Sequence, residues 1–124
     1  PIVIIDGAHN THGIEALLLS VQALPSPRIA IFSALEDKDT DAMLEALLKA
    51  FDQVIVTHFD FYRASSIDNL AKAYPVLKIE DPKEAILKGL ELSKKGSLVI
   101  TGSLYFISQV RQSILPQLRK EQRL

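Results

Sequence analysis

The residues able to do chemistry fall into four short polar stretches: Asp6-Gly7-Ala8-His9-Asn10, Glu36-Asp37-Lys38-Asp39, Thr57-His58-Phe59-Asp60 and Thr101-Gly102-Ser103. Each follows an apolar run rich in β-branched residues, and in three of the four a helical pattern starts directly afterwards. Asp6 is suited to accept the backbone N–H groups of its own turn, to accept ribose hydroxyls, or to orient a neighbouring base. Gly7 allows a positive φ or a close approach of backbone. His9 stands just before a helix start, where the dipole and free N–H groups attract anions, and it can itself donate to a carboxylate or phosphate. Asn10 completes that turn. Gly102 permits close approach, and Ser103 is suited to cap a helix, to serve as a hydroxyl ligand, or to do both.

Several catalytic arrangements are excluded. There is no GxxxxGK[ST] loop for a triphosphate, no GxGxxG after a strand and no GxSxG elbow. His9, His12 and His58 lack metal-ligand spacing with suitable partners, so no metal site is expected. Cys is absent, which rules out disulfides and thiol chemistry and fits a reducing cytoplasm. A phosphate-receiver domain would need an acidic pair after the first strand and a Lys after the last, and the chain has neither. Alone, the chain holds no catalytic engine.

The elements that must position these residues follow from apolar periodicity. Residues 2–5 form an unbroken β-branched run, the pattern of a strand buried on both faces, and predict the centre of a parallel sheet. Ile14, Leu17, Leu18, Val21 and Leu24 recur at helical spacing, with Thr11 as the expected N-cap. Further strands are expected at 28–32, 54–56, 76–79 and 98–100, with helices between them. Asp39 or Thr40 caps the second helix and Ser66 a short third. Asp81-Pro82-Lys83-Glu84 is a strong start for the fourth, with a capping Asp, Pro at the first position and Glu three after the cap. That helix is expected to end near Gly96 as a left-handed terminator. Pro116 should kink or end the last helix, leaving a charged tail from 117 to 124. The alternation predicts an α/β fold, a three-layer αβα sandwich on a Rossmann-like, mostly parallel sheet of five to six strands. Parallel topology gathers all four polar stretches on one sheet edge, where ligands bind in such folds.

Composition agrees with one domain spanning 1–124: 124 residues, 48% hydrophobic and 23% charged. Fourteen basic and fifteen acidic side chains give a formal charge of −1, so neither nucleic acid nor a membrane surface is an expected partner. The chain starts at Pro1 and enters a strand at once, which suggests a piece of a longer protein with Pro1 at the end of a linker.

Together, Asp6-Gly7-Ala8-His9-Asn10, Leu35-Glu36-Asp37-Lys38-Asp39 and Thr101-Gly102-Ser103-Leu104-Tyr105 resemble the carboxy-terminal domain of the folylpolyglutamate synthases, some of which double as dihydrofolate synthases and which are related to the Mur ligases. The likeness covers essentially the whole chain, with Thr11 where that family usually has Pro. The resemblance implies an amino-terminal P-loop ATPase domain as partner, which would bind most of the Mg2+ and ATP, in a parent enzyme that is a cytoplasmic monomer. It implies a reaction in which a carboxyl group of dihydropteroate or a folate becomes an acyl phosphate and is attacked by the amine of L-glutamate. Carried over by position, Asp6 would reach the nucleotide near its ribose, and His9 and Ser103 would hold glutamate. Lys38 would bind a glutamate carboxylate, as a Lys of the corresponding loop does in Mur ligases. Two alternatives stand beside this. A Mur-type cell-wall ligase would usually carry a DSKATN-like turn where this chain has DGAHN, and a stand-alone α/β binding module would need no ATPase partner. Lacking a P-loop, the 124-residue chain alone is expected to release no phosphate from ATP above background in a colorimetric assay; turnover by the pure chain would refute this reading.

Overall fold

The computed structural model describes residues 1–124. Five strands, β1 (Ile2–Ile5), β2 (Arg28–Phe32), β3 (Gln53–Val56), β4 (Leu77–Lys78) and β5 (Ser97–Thr101), form one sheet. Every pairing is parallel, and the spatial order is β1-β5-β2-β3-β4. Helices α1 (Thr11–Val21), α2 (Thr40–Ala50) and α3 (Ile67–Ala71) cover one face. On the other face lie α4 (Pro82–Leu92), α5 (Leu104–Gln109), a π-helical turn at Val110–Ile114 and α6 (Leu115–Lys120). The result is the expected three-layer αβα sandwich.

Strand pleat divides the core between the faces. Ala30, Phe32, Val54, Val56 and Val99 point toward α1, α2 and α3, where Ile14, Leu17, Met43, Leu44, Leu47 and Leu70 meet them. Ile29, Ile31, Ile55, Leu98 and Ile100 point the other way, onto Ala85, Ile86, Phe106, Ile107 and Val110. Each helix presents one apolar stripe, and burying it is what makes these short helices stable.

The sheet corrects the placement of β1. It is an edge strand rather than the centre, and Ile2 and Val3 are 47% and 43% exposed. Burial on both faces belongs to β2 and β5, which have neighbours on both sides and are almost wholly buried. A β-branched run favours a strand at either place, so composition does not separate edge from centre. The β1 edge is partly covered at its end, where Arg111 Nη2 donates to the Ile5 carbonyl at 3.2 Å.

Three boundaries also differ from expectation. Strand β4 keeps only two residues, because Lys78 is exposed and one neighbour is all it has. Helix α4 ends at Leu92 with Ser93 as C-cap, and Gly96 has no left-handed backbone. Gly96 serves close packing: a Cβ there would lie 2.0 Å from the Pro27 carbonyl oxygen. Pro116 does not end the last helix, which runs to Lys120 with Leu118 fully buried. A proline ring clashes with the carbonyl four residues earlier, and the wider π turn just before Pro116 relieves that clash without breaking the rod. The segment beyond is pinned as Arg123 Nη2 donates to Glu84 Oε1 at 2.8 Å.

At the opposite sheet edge, Lys72 and Tyr74 clasp the α3–β4 turn to α2. Lys72 Nζ sits 2.6 Å from Asp41 Oδ2, and the Tyr74 hydroxyl donates to Glu45 Oε1 at 2.7 Å. That bond to a carboxylate holds the phenol proton and pushes the Tyr74 pKa up to about 12. For Gly96→Ala, the backbone clash is expected to lower unfolding free energy by about 3 kcal/mol, read as a lower urea midpoint. A loss below about 0.5 kcal/mol would mean that the 25–28 and 93–97 turns separate freely.

Candidate functional site

The helices that follow β1 and β2 lie on one face of the sheet, whereas the helix that follows β5, the strand between them, lies on the other. After β2 the chain turns toward α2, whereas after its neighbour β5 it turns toward α5 on the other face. Such a topological switch opens a crevice at the carboxyl ends of the strands. A cleft of about 270 Å³ lies there, lined by His9, Leu35, Asp37, Lys38, Arg63, Gly102, Ser103, Leu104 and Tyr105.

The turn after β1 is built by Asp6 and Asn10. Asp6 Oδ1 accepts the Ala8 N–H at 2.8 Å, which folds the chain back at the strand end. Asn10, rather than Thr11, is the N-cap of α1: its Oδ1 accepts from Gly13 N at 2.7 Å, and Thr11 is the first helical residue. Asn outranks Thr as a cap, and Asn10 has the extended backbone of a cap while Thr11 is already helical. Gly7 has no positive φ; instead a Cβ there would meet Leu104 Cδ2 at 2.5 Å. His9 is exposed, with Nδ1 held 3.1 Å from the Gly7 carbonyl oxygen.

The turn after β5 is locked to both flanking turns. Gly102 has φ +125, its N–H donates to the Ala8 carbonyl at 3.1 Å, and a Cβ would stand 2.1 Å from the Ser33 carbonyl oxygen. Only glycine fits this position. Ser103 follows as N-cap of α5, its Oγ accepting from Tyr105 N at 3.1 Å and Phe106 N at 3.4 Å. No protein acceptor takes its O–H, and Ser103 lines the cleft.

Arg63 arrives from a distant loop. Glu36 N donates to the Arg63 carbonyl and Ser65 N to the Ala34 carbonyl, both at 2.9 Å, around a Leu35–Ala64 antiparallel bridge. This zipper sets Arg63 beside the β2–α2 loop, with Nη1 3.9 Å from Asp37 Oδ2. Its guanidinium carbon lies 5.9 Å from the Phe61 ring centre and 5.8 Å from that of Tyr62. At 3.9 Å, between partly exposed side chains, the ion pair contributes little, and the Arg63 Nε is buried without an acceptor. The guanidinium is thus placed and largely unspent.

Of the residues singled out in the sequence, the cleft brings together His9, Asp37, Lys38, Gly102 and Ser103. Asp6, Gly7 and Asn10 shape its rim without lining it. Thr57, His58 and Asp60 do not reach it. Thr57 Oγ1 donates to the Glu80 carbonyl at 3.2 Å, while His58 and Asp60 line a separate groove of about 560 Å³ with Glu80, Asp81 and Lys83. Sequence reasoning missed Arg63, Leu35 and Tyr105 as lining residues. The signal for Arg63 was its place between aromatics and the Ser65-Ser66 cap; the pairing that brings it home spans two loops and leaves no local pattern. No three His, Cys, Asp or Glu side chains are placed to hold a metal ion, and no helix is long and apolar enough to cross a membrane.

The sheet order and the cleft at its switch point define the class: a doubly wound α/β domain whose binding edge is at the carboxyl ends of its strands. The chain belongs to the Mur ligase family in its glutamate ligase domain, whose family model matches residues 1–104. It is 40% identical over 122 residues to the dihydrofolate synthase/folylpolyglutamate synthase of Bacillus subtilis (strain 168), covering 92% of this chain and 28% of that protein. With the folylpolyglutamate synthase of Lacticaseibacillus casei it shares 34% identity over 117 residues, covering 93% of this chain and 27% of that enzyme. Among solved structures, Mycobacterium tuberculosis folylpolyglutamate synthase complexed with ADP superposes with a TM-score of 0.79 at 27% identity, over 90% of this chain and 29% of that one. The chain therefore spans under a third of the length of the curated relatives it matches.

The two caps bordering the site are expected to carry similar weight in stability. Asn10→Ala and Ser103→Ala should each lower unfolding free energy by about 1 kcal/mol, measured by chemical denaturation. An unchanged stability in either variant would mean that the cap is replaced by solvent.

Proposed function

We propose that this chain is the carboxy-terminal, glutamate-positioning domain of an ATP-dependent ligase that joins L-glutamate to dihydropteroate or a folate. The convergence of Lys38, Arg63, His9 and Ser103 on one small cleft, from loops after four different strands, carries this reading. Glutamate brings two carboxylates, and this wall offers two permanent cations and a free hydroxyl. Charge-assisted hydrogen bonds of this kind are the strong ones, and a guanidinium forks naturally onto a carboxylate. At about 270 Å³ the cleft is smaller than pockets for drug-sized ligands, roughly 300–1,000 Å³, and suits a single amino acid rather than a folate.

In this reading a preceding ATPase domain binds nucleotide and the acceptor, and makes the acyl phosphate. The great length of the matched relatives beyond this chain and their printed names support it. ADP in the Mycobacterium enzyme supports a bound nucleotide in this reading. Asp6, with Oδ1 spent on Ala8 N, keeps Oδ2 for a ribose hydroxyl there. No three acidic or histidine side chains here are placed to hold a metal ion, and this reading assigns magnesium to the preceding domain. What this domain supplies is alignment: holding an amine in line with an activated carbonyl can remove several kcal/mol from a barrier, and closure keeps water from the acyl phosphate.

The test uses the full-length protein with ATP, labelled L-glutamate and either dihydropteroate or a reduced folate. Glutamate incorporation is expected with at least one acceptor. Lys38→Ala and Arg63→Ala should each raise the glutamate KM roughly 10- to 100-fold, the worth of a hydrogen bond to a charged group. ATP consumption only on a cell-wall precursor, with no transfer to either acceptor, would move the domain to the Mur branch. Unchanged kinetics in both variants would make the cleft a solvated surface.

A further inference from the structure

We propose that Asp37 selects an amino acid over other dicarboxylates, by accepting N–H groups from the nitrogen of the incoming glutamate. The inference rests on the ligase reading above. It begins with how the carboxylates around the binding edge are used. Asp6 accepts from Ala8 N, Asp39 caps α2 through Ala42 N, and Asp41 holds Lys72. Asp37, from the same loop as Asp39, has no such task. Its one charged neighbour is Arg63, at 3.9 Å, and its side chain is 53% exposed. It is also the single acidic side chain on the cleft wall.

Together Asp37 and Arg63 carry the charges of an amino-acid end in reverse. In an α-amino acid the ammonium nitrogen and the carboxylate carbon are bonded to one carbon and lie about 2.5 Å apart. On the wall a carboxylate oxygen and a guanidinium nitrogen stand 3.9 Å apart, too far for a hydrogen bond to each other. An amino-acid end laid against them gives its ammonium to Asp37 and its carboxylate to the Arg63 fork. Lys38, next in the chain and also on the wall, is left for the side-chain carboxylate. A nitrogen that has lost its extra proton still has two N–H donors, so Asp37 holds it both as the ammonium and as the attacking amine.

The carboxylate matters most for what it rejects. Lys38 and Arg63 alone would take any diacid of glutamate's length, including glutarate and 2-oxoglutarate. Neither has the nitrogen needed to form an amide, and either would block the cleft. Against Asp37, glutarate presents a methylene group and 2-oxoglutarate a carbonyl oxygen. Both leave the Asp37 carboxylate without a donor, and the second adds repulsion. A site discriminates strongly when the wrong ligand leaves one of its polar groups unpaired.

The experiment measures glutamate transfer by the full-length protein, with glutarate as the competing diacid. Asp37→Asn keeps the size of the side chain and removes its charge. It should raise the glutamate KM roughly 10- to 100-fold, the worth of a hydrogen bond to a charged group. Glutarate should inhibit this variant at least as well as it inhibits the wild type, so the ratio of glutarate inhibition constant to glutamate KM falls by that factor or more. Lys38→Ala should weaken both ligands together and hold the ratio. An unchanged ratio in Asp37→Asn would overturn the proposal. If both ligands weakened equally, Asp37 would be only a support for Arg63; if neither weakened, it would be a solvated side chain. No glutamate transfer by the wild type with either acceptor would overturn the ligase reading itself.

Discussion

The site depends on one contact, the seat of Gly102 between two other turns. Its N–H is bound by the Ala8 carbonyl on one side, and its Cα lies against the Ser33 carbonyl on the other. The first constraint fixes the β1 turn that carries His9. The second fixes the start of the β2–α2 loop that carries Lys38. A φ of +125 lets the chain thread this gap and still turn into α5, so Ser103 emerges at the cleft floor already engaged as a cap. A side chain at 102 would wedge the three turns apart, with strain of the order of 1–3 kcal/mol before any packing loss.

The fourth contributor reaches the cleft by a different device. Loops after β2 and β3 are usually independent, yet here they pair for a few residues through backbone hydrogen bonds flanking Leu35 and Ala64. The pairing turns two flexible segments into a short ribbon, and the ribbon fixes the height of Arg63 over the sheet edge. Phe61 and Tyr62 lie within 6 Å of its guanidinium carbon, and Phe61 stacks in turn on Tyr105, with ring centres 4.5 Å apart. The aromatic packing presents the guanidinium without consuming its donors, which a tight salt bridge would have done.

These two devices explain what could be read from residues alone. Strand and helix types followed from periodicity, and caps such as Asp39, Ser66 and Asp81 followed from local rules, because each is decided within a few residues. His9, Lys38 and Ser103 could be brought to one edge because parallel connectivity leaves no other place for them. Strand order is not local. A β-branched run signals a strand without saying how many neighbours it has, and β1 was therefore placed at the centre when it lies at the edge. Gly96 likewise signals something special about position 96 without saying whether dihedral or distance is at stake; distance was the answer. Arg63 was hidden for the same reason, since only tertiary pairing of two loops gives it a role.

The electrostatics of the cleft then follow from what each element is free to donate. The turn after β1 uses one carboxylate oxygen of Asp6 to hold itself together and its Gly7 carbonyl to hold the His9 ring, which leaves the second Asp6 oxygen and the far ring nitrogen of His9 without a protein partner. The loops after β2 and β3 send forward cations, and the turn after β5 a hydroxyl. The wall thus sets two cations and a hydroxyl beside one carboxylate, Asp37, and a wall with both signs of charge is a poor match for a simple anion such as phosphate. It is a good match for a zwitterion with an additional carboxylate.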